Sequence, residues 1–77
     1  MSKKISTADQ FIEFYKKKGD YLVELSENHY MNKEYKKTLE LLRQGFAMYE
    51  KGGCKELAAT TKEKFLNIKE KHFTKKE

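Results

Sequence analysis

His29, His72 and Cys54 are the residues of this chain best suited to chemistry by type. A histidine acts as a general base when a carboxylate orients it and a nucleophile or substrate lies within reach. Here the two imidazoles fall in different segments, with no serine elbow, glycine-rich phosphate loop or HExxH spacing around either. The same three residues match no standard ligand spacing, and a closed zinc site needs more donors than they supply. Cys54 stands beside Lys55, a neighbour of the kind reactive thiols have, yet it reads better as a structural cysteine. The sequence therefore points away from an enzyme and calls for no metal or cofactor.

Binding chemistry has more support. Lys62, Lys69 and Lys76 recur every seven residues, with Lys64 and Lys71 close by and Lys36, Lys37 and Arg43 in the preceding segment. A strip of this kind neutralises phosphates through counterion release and gives sequence-independent, salt-sensitive affinity for nucleic acid. Against that, Glu63 and Glu70 interrupt the strip, and Arg43 is the single arginine for base readout. The stronger signal is aromatic: five Tyr and five Phe in 77 residues of which 38% are charged. Tyrosine suits interfaces because it pairs a large contact area with a hydroxyl. Tyr21, Tyr30, Tyr49, Leu66 and Phe73 are the candidate interface residues. The expected activity is docking onto another protein, as an accessory, adaptor or inhibitor, with a homodimer among the possible assemblies. Nucleic-acid binding through Lys62, Lys69 and Lys76 is the alternative.

These side chains need elements to hold them, and the pattern is helical throughout. The chain lacks proline, has Val23 as its one valine, and shows no alternating β-branched run. From Cys54 onward the pairs Lys55-Glu56, Lys62-Glu63, Lys69-Glu70 and Lys76-Glu77 repeat in step. Between them, Cys54, Ala58, Thr61, Phe65, Ile68 and His72 alternate at spacings of three and four, a seam for packing on other helices. Tyr35, Leu39, Leu42, Phe46 and Tyr49 form a second stripe, widened by Leu41 and Met48. Gly45 lies beside it, where a missing side chain lets another helix approach. Phe11, Phe14 and Tyr15, then Leu22 and Leu25, share a face of the first helix, which Thr7 caps with Gln10 at the capping-box distance.

Glycine supplies the punctuation. Gly52-Gly53 is the strongest break, and a second boundary falls near His29–Lys33, with Asn28 or Asn32 as cap. Gly19-Asp20 reads either as a turn or as a glycine carried through a helix at about 1 kcal/mol. The fold expected is all-α, a small antiparallel three-helix bundle, or four helices if the chain turns at Gly19-Asp20. One domain would occupy residues 7–74, with tails at 1–6 and 75–77. Tyr35, Leu39, Leu42, Phe46, Phe65 and Ile68 are expected in its core.

Charge and cysteine usage bound the setting. The formal net charge of +5 is concentrated late, with seven basic against four acidic side chains in residues 52–77. One cysteine excludes an intrachain disulfide and fits a reducing compartment. No apolar run follows Lys3-Lys4, and none approaches the ~20 residues that span a bilayer, so a cytoplasmic protein away from membranes is expected.

Part of the chain carries a family likeness. Residues 32–51, through Tyr35, Leu39, Leu42 and Phe46, resemble the second helix of tetratricopeptide-like repeats. With Phe65-Leu66-Asn67-Ile68-Lys69 they also resemble the three-helix domains that dock trafficking peptides in endosomal sorting ATPases. Thr38 and Gly45 depart from both, standing where those families favour alanine. No binding residue is carried over.

Overall fold

The computed structural model describes residues 7–73, which form α1 (Thr7–Met31), α2 (Tyr35–Lys51) and α3 (Lys55–His72). There is no strand among the described residues, and the three-helix expectation holds. The side chain of Thr7, expected as a cap, and Lys76 lie outside what is described, as do the tails. α2 is the shared member. It packs against both α1 and α3, which meet one another far less.

The two links are built alike. After α1, Lys33 adopts φ 64°, its N–H bonds the Tyr30 carbonyl and the Glu34 N–H reaches back to His29. After α2, Gly53 adopts φ 73°, its N–H bonds Glu50 and the Cys54 N–H reaches back to Tyr49. In both, a left-handed residue closes the helix and satisfies carbonyls that its last turn leaves unpaired. The following residue then opens the next helix, with no side-chain cap at Glu34 or Cys54. The cap expected from Asn28 or Asn32 is thus replaced by backbone bonds around Lys33. A side chain in this region costs roughly 1 kcal/mol that glycine avoids. Lys33→Gly is expected to raise the melting temperature by a few degrees; a fall would show that Lys33 carries no strain.

Gly19 is not a turn, and the four-helix alternative is overturned: α1 is continuous for 25 residues. The glycine is a notch. A Cβ there would sit 2.6 Å from Cε1 of Tyr49, whose ring fills the space. Gly45 does as its place beside the stripe implied, since a Cβ would meet Val23 at 3.1 Å and the Gly19 carbonyl at 3.5 Å. Together the two glycines bring α1 and α2 into backbone contact.

The core differs from the one expected. Leu42 is buried, but Tyr35, Leu39, Phe46, Phe65 and Ile68 are half-buried. Leu22, Leu41, Tyr49 and Ala58 join Leu42, along with the hydroxyl residues Ser26, Thr38 and Thr61. Because α2 has a neighbour on two sides, its buried arc is centred on Thr38, Leu41, Leu42, Gly45 and Tyr49. The hydroxyls are tolerated because each donates to a carbonyl of its own helix: Ser26 to Val23, Thr38 to Glu34, Thr61 to Leu57. The α3 seam holds as read. Cys54, Ala58, Thr61, Phe65, Ile68 and His72 are all buried or half-buried, while Lys55-Glu56, Lys62-Glu63 and Lys69-Glu70 face solvent.

Candidate interaction groove

Two helix surfaces of opposite sequence direction leave a furrow where their ridges do not fully interlock. Between α2 and α3 that furrow is an apolar groove of about 240 Å3. Leu42, Arg43 and Phe46 form one wall, and Lys62, Phe65 and Leu66 the other. Leu42 is its buried floor. Leu66 stands 49% exposed at the lip, and Arg43 and Lys62 are exposed cationic residues of the same lining. The Lys69 ammonium lies 6.0 Å from the centroid of the Phe65 ring, adding positive charge close by. An apolar trough with a cationic margin accepts an apolar side chain flanked by carboxylates.

A second cluster forms where α1 ends, α2 begins and α3 ends. The His72 ring stacks on Tyr35 with centroids 3.8 Å apart and planes 10° from parallel. Its Nε2 is 3.1 Å from the Tyr30 hydroxyl. His29 Nδ1 pairs instead with Glu34, so the two histidines serve different partners. Phe73 and Lys36 line the open depression beside them. No group of three or more His, Cys, Asp or Glu is placed to hold a metal among the described residues. Cys54 is half-buried, its Sγ 3.9 Å from the Gly52 carbonyl.

The five interface candidates do not share one surface. Leu66 lies in the groove, Phe73 at the end depression, Tyr30 in the His72 cluster and Tyr21 on α1, exposed. Tyr49 is corrected outright. It is 3% exposed, its ring in the Gly19 notch and its hydroxyl donating to Asp20. Burial first, then the Asp20 hydrogen bond and charge, hold its pKa far above the usual tyrosine range. An unfolded tyrosine ionises near 10, so the folded state retains a proton that the unfolded state releases. Stability is therefore full below about pH 10 and falls as pH rises beyond it, by up to about 1.4 kcal/mol per unit. Melting temperatures from pH 8 upward are expected to drop more steeply for the native chain than for Tyr49→Phe; parallel curves would overturn this.

Of the lysine strip, Lys62 and Lys69 are exposed. Lys64 beside them pairs with Glu27 of α1 at 3.3 Å, and Glu63 and Glu70 share the exposed surface. What the sequence reading missed lies on α1. Phe11 and Phe14 share a face with Leu22 and Leu25 in the sequence pattern, yet they are 55% and 57% exposed, and Ile12 beside them is 44% exposed. The reason is direction: Tyr15 packs beside Gly52, while Phe14 lies on the stripe with Lys18 and Tyr21 that stays exposed along α1. Among the described residues no helix is long and apolar enough to cross a membrane. Compared with protein-family models, curated proteins and solved structures, the chain matches none.

Proposed function

We propose that this protein is a small helical protein-interaction module that takes an acidic, amphipathic helix of another protein into the α2–α3 groove. The observation that supports it is the groove itself, with Leu66 half-exposed over a floor of Leu42 and a cationic margin from Arg43 and Lys62. An amphipathic helix places anchors at i, i+3, i+4 and i+7, a spacing suited to a trough running between two helices. A reducing interior suits the single thiol of Cys54.

Selection from a displayed library of helical peptides tests the reading directly. Enrichment of leucine or phenylalanine at helical spacing, flanked by aspartate or glutamate, is expected against the native chain. Leu66→Glu, a change at an exposed position, should remove that enrichment while leaving the circular dichroism spectrum unchanged. Equal enrichment on both proteins would sink the groove. A labelled single-stranded oligonucleotide run in parallel checks the other surface. Salt-sensitive binding that Lys62→Gln with Lys69→Gln abolishes, and Leu66→Glu leaves intact, would favour nucleic acid as the partner instead.

A further inference from the structure

The exposed face of α1 carries both halves of a self-complementary contact. Tyr21, Glu24, Leu25 and Asn28 enclose a shallow hollow of about 190 Å3. They stand at i, i+3, i+4 and i+7, the four-residue diamond into which a facing helix inserts a knob. Upstream on the same helix Phe14 projects, 57% exposed, with its ring edge-on to Tyr15. Phe11, Phe14, Lys18, Tyr21, Leu25 and Asn28 follow one another at alternating steps of three and four, the repeat of a helix-pairing seam. Knob and hollow lie on one stripe, about 16 Å apart along the axis.

We infer that this face pairs two copies of the chain, α1 against α1 and antiparallel, each Phe14 entering the hollow of the second copy. A two-fold axis passing between Gly19 and Asp20 sets Phe14 opposite Leu25 of the second copy and Lys18 opposite its Tyr21. The Lys18 ammonium then meets an aromatic ring, a favourable cation–π pairing. Flanking the seam, Lys17 comes beside Glu24 of the second copy, and each pair occurs twice. Parallel pairing sets Lys18 on Lys18 and leaves hollow facing hollow. The charges and the shape therefore select one orientation and one occupant. This contact is separate from the α2–α3 groove and stands or falls without it.

Sedimentation velocity on the full chain, from micromolar to millimolar, reads the assembly. A concentration-dependent dimer is expected for the native chain, weakened at least about tenfold by Phe14→Ala with helicity kept. If that variant loses helicity, Tyr21→Lys, which sets two ammonium groups together at an exposed position, takes its place. Lys17→Glu and Glu24→Lys should each weaken the dimer, and the two combined should restore it. A monomer at every concentration overturns the inference, as does a dimer indifferent to Phe14→Ala and Tyr21→Lys. Failure of the charge exchange to restore association overturns the antiparallel orientation. Leu66→Glu should leave the dimer intact; its dissociation by that change would assign the contact to the groove instead.

Discussion

Replacing Leu42 with alanine is expected to lower the unfolding free energy by about 2–5 kcal/mol. The side chain is 1% exposed, on the one helix that both others use. Truncation removes apolar area and leaves a void that three helices must share. Small domains have little in reserve, of order 0.05–0.15 kcal/mol per residue, so the loss is a large share of the total. Phe65→Ala should cost less, because the ring is only half-buried and already borders the open groove. Urea unfolding followed by circular dichroism ranks the two. A midpoint for Leu42→Ala that matches the native chain would remove Leu42 from the core.

Tyr49→Ala is expected to cost about 3–5 kcal/mol, the range for deleting a buried aromatic ring. Its partners make the test sharper than a single variant. In the native chain Gly19→Ala forces a Cβ against the ring, within 3 Å of Cε1, Cδ1 and Cζ. That ring is held by burial and by Asp20. Overpacking of this kind costs about 1–3 kcal/mol, more than the roughly 1 kcal/mol that alanine gains over glycine in a helix. Once Tyr49 is alanine the obstruction is gone and only the gain remains. Gly19→Ala should therefore destabilise the native chain and stabilise the Tyr49→Ala chain. The same sign in both backgrounds would show that the notch is not what Gly19 provides.

The same glycine shows where reading from sequence stops. A glycine that caps a helix and one that admits a neighbouring ring are the same letter. Deciding between them at position 19 requires Tyr49, far along the chain. Gly52-Gly53 was legible because two successive glycines favour the left-handed turn that Gly53 adopts. The matching turn at Lys33 was located but not explained, since a lysine does there what glycine usually does. Helix type followed from periodicity, and the α3 seam was read correctly because its charged pairs mark the solvent face. The core was blurred because burial went to small and hydroxyl-bearing residues. Ser26, Thr38 and Thr61 satisfy themselves within their own helices and so tolerate a place that apolarity alone assigns to larger side chains. The groove was partly visible, through Leu66 and Lys62 named separately. Their convergence with Arg43 and Phe46 depends on how α2 and α3 pack.

The sparse meeting of α1 with α3 also shapes how the molecule comes apart. Nearly all of its contacts join helices adjacent in sequence, so loop closure imposes little delay and assembly belongs with the fast helical folders. The side-chain links between the outer helices, Lys64 to Glu27 and His72 to Tyr30, add little to the packing of α3 on α2. α3 packs less extensively on α2 than α1 does, so it is expected to detach from α2 before the α1–α2 hairpin, with Tyr49 in its notch, comes apart. Amide exchange should accordingly reveal two cooperative units, with α3 the first to exchange and the Gly19–Tyr49 crossing the last.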